Sequence, residues 1–350
     1  MAVPAVGLDI GTSAVRAARV GSGRRGNALM GFAQVALPEG SVADGEVRDP
    51  GAVSEALSQL WKRSKMGSKK VIIGVANQRV VVRQVDLPYL EPKEFGASLR
   101  FQAADHIPMP VEDAELDFQM LDEYESQTGE RMMRVLLVAA ASDMVDSFVS
   151  VVAAAGLDPV GVDLAPFAVS RAVSAAARGE TGVAGAEAIV DVGAGVTNIV
   201  VHHNGEARFV RILLVGGDEV TNSLSRELNV SFEEAEAVKL DLGRGVGSPE
   251  AQRTLQAQVS LLVQEIQGSL DYYLSQEDSE PVSSLILTGG GSLTPGLVAQ
   301  LEQSARLPVL RGSPLAGMDV SKSGLTSEQL AQVEPVAAAA VGLALGVTRK

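Results

Sequence analysis

Asp9-Ile10-Gly11-Thr12-Ser13 and Asp191-Val192-Gly193-Ala194-Gly195 each end a short apolar run in a carboxylate and continue in small residues. Small residues in a tight turn let backbone N–H groups approach an anion, and a carboxylate beside them can ligate a hydrated divalent cation. The chemistry that suits this combination is the holding of a polyphosphate together with Mg2+. One Asp-x-Gly alone is ordinary turn material. Here it recurs, because VGLDIGTSAVRAARVGSG (6–23) and AIVDVGAGVTNIVVHHNG (188–205) align 182 residues apart. Each reads as strand, Asp-x-Gly turn, second strand and Gly-containing turn, a pseudo-repeat of two half-molecules. If the halves face each other, Asp9 and Asp191 converge across a cleft with a polyphosphate between the two turns. A third element, Thr288-Gly289-Gly290-Gly291-Ser292, follows an apolar strand and precedes Pro295, an order that brings backbone close to a ligand.

The rest of the sequence narrows the chemistry by exclusion. No Gly-x-x-x-x-Gly-Lys-Ser/Thr loop occurs, and Gly21-Ser22-Gly23-Arg24-Arg25-Gly26 fits Gly-x-Gly-x-x-Gly only as a turn between two strands, without the helix that a dinucleotide fingerprint opens. The absence of cysteine excludes disulfides, thiol nucleophiles and thiolate metal sites. A net charge of −14 opposes the electrostatic attraction that nucleic-acid binding needs. His202 and His203, adjacent on a strand, face opposite sides and read as an exposed hairpin end rather than a metal site. The apolar run at 336–347 is too short to span a bilayer and reads as a buried helix.

Period and punctuation give the elements that must carry these residues. Strands are expected at 29–37 and 70–76 with a helix at 51–64 between them. In the second half a strand is expected at 207–214, helices at 218–228, 232–240 and 250–274, a strand at 285–288, a helix at 295–304 and a terminal helix from 334. Between the halves, 77–156 has its own character: strands at 80–87, 116–124 and 132–139, and helices at 92–106 and 142–155. Residues 101–130 hold nine carboxylates and neither Lys nor Arg, which reads as a solvated face or as a guide for a basic partner tail. The Gly- and Ala-rich segment 178–185 reads as a hinge. Strands alternating with helices in both halves indicate an α/β fold with two similar sheets.

The two Asp turns and the glycine loop, in this order across the whole chain, resemble the actin-like ATPase superfamily of actin, Hsp70, sugar kinases and FtsA. Within it, Leu99-Arg100-Phe101-Gln102-Ala103-Ala104-Asp105-His106-Ile107-Pro108-Met109-Pro110, followed by Leu116-Asp117-Phe118-Gln119, resembles the PilM family of type IV pilus assembly. In that family a helix ends at Ile-Pro and a Leu-Asp-Tyr-like strand follows. Arg16, seven residues after Asp9, suits PilM better than FtsA, as does a sequence ending at Thr348-Arg349-Lys350 where FtsA continues into a membrane-targeting helix.

The resemblance implies an actin-like ATPase fold, two similar halves with an FtsA-like 1C insertion. Subdomain 1A would comprise 1–77 with 157–185 and 333–350, 1C 78–156, 2A 186–217 with 284–332, and 2B 218–283. It implies ATP and Mg2+, with Asp9 and Asp191 toward the metal. Gly11, Thr12, Ser13 and Arg16 would contact the nucleotide from the first turn, and Gly193, Ala194, Gly195 and Thr197 from the second. Gly216, Gly217, Gly289, Gly290 and Gly291 would complete the site, with Glu236 and Lys239 at the ribose or adenine. Many superfamily members place a Glu or Gln near a proline to orient the attacking water. Here Ala165 precedes Pro166, which leaves Asp163 as the one substitute and implies weak turnover at most. The implied role is a cytoplasmic adaptor, brought to the inner membrane by partners without inserting into it. It would bind the short cytoplasmic tail of a PilN-like inner-membrane protein, with other pilus platform proteins and self-association left open. An FtsA-like cell-division protein and a small-molecule kinase of the same superfamily are the alternatives.

Overall fold

In the computed structural model, which describes residues 5–23, 26–174, 185–277 and 279–347, the two repeats form the hairpins around which two five-stranded sheets are built. The first half runs β1 (Val6–Ile10), β2 (Ala14–Gly23), β3 (Gly26–Ala36), the short pair β4 (Val42–Ala43) and β5 (Glu46–Val47), helix α1 (Pro50–Arg63) and β6 (Lys70–Val75). The chain then leaves for a separate antiparallel sheet made of β7 (Val80–Pro88), β8 (Ala114–Glu125) and β9 (Arg131–Ala141), with α2 (Pro92–Ala103) between β7 and β8. It returns through α3 (Ser142–Ala154), β10 (Asp158–Leu164) and α4 (Ala165–Val173). The first sheet has the order β10-β6-β1-β2-β3, with β1 antiparallel to β2 and parallel to β6.

The second half repeats this plan. Strands β11 (Ala186–Val192), β12 (Thr197–His203) and β13 (Glu206–Leu213) form the meander, and helices α5 (Gly217–Leu228), α6 (Phe232–Gly243) and α7 (Pro249–Leu274) follow. The chain closes with β14 (Val282–Thr288), α8 (Leu297–Ala305), β15 (Val309–Arg311), α9 (Ser327–Val333) and α10 (Ala338–Val347). The order β13-β12-β11-β14-β15 again puts the Asp-bearing strand in the centre, antiparallel to one neighbour and parallel to the other. A central strand bonded on both sides holds the position of its last residue most firmly, and that residue leads into the Asp turn.

One layer joins the halves. A core cluster takes Ala18, Val20 and Leu29 from the first sheet and Ile189, Val200 and Ile286 from the second, packed with Val169 of α4 and Val341 of α10. Helix α10 is apolar throughout, and from Ala338 to Ala344 every residue but Ala339, which lines the cleft, is buried, as expected for an interior helix. Among the described residues no single helix is long and apolar enough to cross a membrane. The α9 and α10 segments meet that length and composition only as a pair bent by 82°.

Several boundaries differ from the sequence expectation, each for a local reason. Helix α4 was not among the expected elements; it starts at Ala165 directly after β10, with Pro166 in its first turn. The terminal helix divides. A capping box between Thr326 and Gln329 starts α9, and a 3-10 turn with Pro335 intervenes before α10. The helix after the glycine loop begins at Leu297 rather than 295, following Gly296 at φ 85°. The helix from 92 stops at Ala103, and β15 was not expected. His202 is not exposed. It is 1% accessible, its Nδ1 accepts from Gly205 N–H at 3.3 Å and its Nε2 lies 3.5 Å from Glu187 Oε2. The hinge expected at 178–185 lies outside the described residues apart from Gly185.

Leu343 in α10 is fully buried, whereas Leu261 in α7 is 53% exposed. Leu343→Ala is expected to cost about 2–5 kcal/mol of unfolding free energy and Leu261→Ala less than about 0.5 kcal/mol. Urea titrations giving equal losses for the two would contradict the burial of α10 against the first sheet.

Candidate functional site

The two Asp turns are superimposable in their bonding. Gly11 N–H donates to Ala14 O at 3.1 Å, and Gly193 N–H donates to Val196 O at 2.8 Å. The amides of Thr12, Ser13, Ala194 and Gly195 have no acceptor among the described residues. Both turns open on one cleft of about 430 Å³ between the halves. They approach each other closely, since a Cβ on Gly195 would stand 2.9 Å from Thr12 Oγ1. The third loop rests on the second turn. Gly289 has φ 85°, and a Cβ there would come within 2.2 Å of Val192 O and 2.6 Å of Asp191 Oδ1. Only glycine meets both demands.

Register supplies each carboxylate with neighbours. Asp9 stands opposite Arg16 on β2 and beside Gly74 on β6, and Asp191 stands opposite Asn198 on β12 and beside Thr288 on β14. Arg16 Nη1 donates to Asp9 Oδ2 at 3.3 Å, and Asn198 Nδ2 donates to Asp191 Oδ2 at 3.1 Å. Arg16 and Asn198 are thus the same position of the repeat, one a cation and the other neutral. Burial pushes the Asp9 carboxyl above the usual range, and the Arg16 charge and hydrogen bond pull it back. Asp191 has no such cation bonded to it. Burial raises it to about 6; the Asn198 bond opposes the rise and the Asp9 charge adds to it.

Helices α5 and α6 make the second-half wall. Gly217 and Asp218 donate their N–H groups to Gly193 O at 3.0 Å and Ala194 O at 2.9 Å, so the start of α5 is tied to the second turn. A capping box between Ser231 and Glu234 starts α6 and sets Glu236 and Lys239 one turn apart on its cleft side. The buried Lys239 ammonium bonds Glu236 Oε2 at 2.6 Å, Thr221 Oγ1 at 2.7 Å and Gly217 O at 3.3 Å. Its three protons therefore have acceptors within the protein, and Lys239 serves to fix Glu236 and the start of α5. Burial raises the Asp218 carboxyl, with Lys239 acting against the rise.

Among the expected site residues, Asp9, Gly11, Thr12, Ser13, Arg16, Asp191, Gly193, Ala194, Gly217, Glu236, Lys239, Gly289, Gly290 and Gly291 line this cleft. Gly195 and Gly216 lie just behind the lining. A Cβ on Gly216 would meet Ala194 O at 2.3 Å, so its role is to let α5 approach the turn. Thr197 is fully buried and donates to Val215 O at 2.7 Å. Asp163 is not brought to the cleft; one oxygen pairs with Arg171 and the other accepts from Leu164 N–H at 2.8 Å. Ala165, by contrast, does line it. Sequence reasoning missed Asn198, Asp218 and Phe232, which also face the cleft. The repeat offset that maps Asp9 onto Asp191 maps Arg16 onto Asn198, so that one was available.

The donor set fits a nucleotide with a hydrated divalent ion. Arg16 Nε and Asn198 Oδ1, on two residues that line the cleft, are buried polar atoms without a hydrogen-bond partner among the described residues. Such atoms are costly unless a ligand or its waters satisfies them. No described cluster offers three or more metal-ligating side chains, so an ion here would keep most of its water and use the two carboxylates and the phosphates.

A family model described as "Type IV pilus assembly protein PilM" matches residues 7–348. A solved structure titled "PilM-PilN type IV pilus biogenesis complex" is similar at TM-score 0.86 and 28% identity, covering 99% of this chain and 99% of that one. MreB5 of Spiroplasma citri, solved with ADP, shares the fold at TM-score 0.51 and 13% identity, over 90% of this chain and 93% of that one. Cell division protein FtsA of Neisseria meningitidis is 28% identical over 58% of this chain, and the match spans 54% of that relative's length. FtsA of Streptococcus pneumoniae is 26% identical over 83% of this chain and 71% of its own.

A carboxyl raised from 3.8 to about 6 binds its proton more tightly in the folded than in the unfolded chain. Its contribution to stability is present below about pH 4 and is lost as pH rises through about 6. The ligand-free protein should therefore melt at lower temperature at about pH 7.5 than at about pH 5, and Asp191→Asn should flatten that decline. Melting curves with the same pH slope in both proteins would remove Asp191 as its source.

Proposed function

The chain belongs to the PilM family of type IV pilus assembly proteins, and from that premise we propose that it binds ATP with Mg2+ between its two halves and works as an adaptor. The observation that carries the nucleotide reading is the facing pair of amide-lined turns, each led by a carboxylate and closed by the glycine loop. Free amides of both turns would hold the phosphates, and Arg16 adds a positive charge beside them. Asp9 and Asp191 would orient the waters of the metal ion, whose charge relieves two carboxylates buried near each other. The remaining oxygen of Glu236, fixed by Lys239 and Thr221, suits a ribose hydroxyl. Phe232, Pro335 and Val336 offer the apolar contact that a base requires.

Turnover is slow on this reading. Ala165 stands in the cleft where a water-orienting carboxylate or amide is needed, and Asp163 is held by Arg171. The partner is the short cytoplasmic tail of a PilN-like inner-membrane protein, held in a groove beside the inserted sheet. The near-complete likeness to the PilM chain of a PilM-PilN complex supports this. An FtsA-like role has weaker support, since the FtsA matches span 54% and 71% of those relatives and a PilM family model covers almost all of this chain.

Calorimetric titration with Mg-ATP should show binding that Asp9→Ala and Asp191→Ala each weaken at least about tenfold, because either change removes half of the anionic ligand set. Unchanged affinity in both variants would refute the site. Wild-type hydrolysis should lie far below about 1 per second, and Ala165→Glu should raise it; turnover already at tens per second would contradict the reading of Ala165. A peptide of the PilN-like tail should bind the full chain, and no binding with or without ATP would refute the adaptor role.

A further inference from the structure

The inserted sheet is fastened to both halves. Register sets Gln84 of β7 opposite Leu136 of β9 and Arg134 of β9 opposite Asp122 of β8, so these four side chains share one face. Leu136 is buried in the layer that joins the halves, with Val82 packed beside it. At the rim of that contact two side chains reach the second half. Gln84 Nε2 donates to Arg208 O at 2.7 Å, and Arg208 Nη1 donates to Asp122 Oδ2 at 3.5 Å. Both bonds are exposed to solvent, and both converge on one residue of β13.

On the first-half side the fastening is buried. Asn77 stands where the chain leaves for the inserted sheet and is 3% exposed; its side chain donates to Asp44 O and accepts from Arg79 N–H at 2.7 Å. Gly45, at φ 69°, lies against Ala76 O, where a Cβ would come within 2.0 Å. Arg79 adds ion pairs to Glu46 at 3.8 Å and to Asp143 at the start of α3. The two fastenings are therefore unequal. Breaking the first strands a buried amide, whereas the second is made of exposed bonds of small individual worth, and it is the one that yields when the halves turn against each other.

Strand β13 carries this weaker fastening to the cleft. Three residues beyond its end at Leu213, Gly216 is pressed on the second Asp turn, where a Cβ would stand 2.3 Å from Ala194 O. Gly217 N–H donates to Gly193 O at 3.0 Å, and Thr197 Oγ1 donates to Val215 O at 2.7 Å. Arg208 and the second turn thus belong to one braced unit, and a rotation of the second half moves both. In the arrangement described here the two turns face each other across the cleft and Arg208 meets the inserted sheet, so the two contacts are made together.

We propose that Gln84, Asp122 and Arg208 form a latch through which occupancy of the nucleotide cleft is passed to the inserted sheet. This rests on the nucleotide reading above. A ligand that bridges both turns favours the facing arrangement and with it the closed latch; by linkage the closed latch favours the ligand by the same factor. None of the three side chains lines the cleft, so their effect on nucleotide affinity passes through the fold rather than through contact.

Hydrogen exchange of the full chain should find the β7 amides, at 80–88, slowed on addition of Mg-ATP although β7 lies outside the cleft. The double variant Gln84→Ala, Asp122→Ala should lose that slowing and bind Mg-ATP about fivefold more weakly, near the low end of couplings between sites because the bonds are exposed. Its melting without ligand should match the wild type, which separates an open latch from a damaged fold, and the wild-type exchange decides the question without any variant. Calorimetry on the same samples reports nucleotide binding independently. No binding of Mg-ATP to the wild type would sink the nucleotide reading and the latch with it. Binding that leaves β7 exchanging as before, or a variant that keeps both the slowing and the affinity, would overturn the latch alone.

Discussion

Two buried carboxylates face one cleft, and among the described residues Arg16 alone brings a cation into bonding contact with either. Asp9 has a guanidinium at 3.3 Å, whereas Asp191 has only the amide of Asn198 at 3.1 Å and stands near the Asp9 charge. Burying ionised groups with one cation between them is unfavourable unless a further positive charge is supplied. A divalent ion with a polyphosphate brings that charge together with acceptors for the unused amides of both turns. On the proposed reading such a ligand would offset the burial cost of both carboxylates and bridge the two halves.

The rest of the fold can be understood as support for this pair. Each Asp is the penultimate residue of a central strand, bonded on both sides, so neither can retreat from the cleft without breaking a sheet. Helices α4 and α10 fill the space between the sheets with small and branched apolar side chains and hold the halves at the spacing the cleft needs. The glycine loop and the start of α5 then close the second turn from behind, through contacts too tight for any side chain.

Much of this was legible in the sequence because it depends on local chemistry repeated twice. The Asp turns and the glycine loop are legible from residue type and spacing, the Glu236 and Lys239 pair from the resemblance, and the structure brings them to one cleft. What escaped was decided by contacts between distant segments. Lys239 lines the cleft, but its bonds to Thr221 and Gly217 on a neighbouring helix have no sequence signal. Asp163 reads as a candidate for water activation until Arg171, one helix later, takes its oxygen. His202 reads as exposed because a hairpin end usually is, yet Glu187 on the adjacent strand and the covering core bury it.

The amides of Thr12, Ser13, Ala194 and Gly195 give the most direct test of the central claim, because no acceptor for their protons lies among the described residues. Hydrogen exchange should find both turns fast in the free chain and both slowed together on addition of Mg-ATP. Nucleotide binding that protects one turn and leaves the other exchanging as before would contradict a ligand held between the two halves.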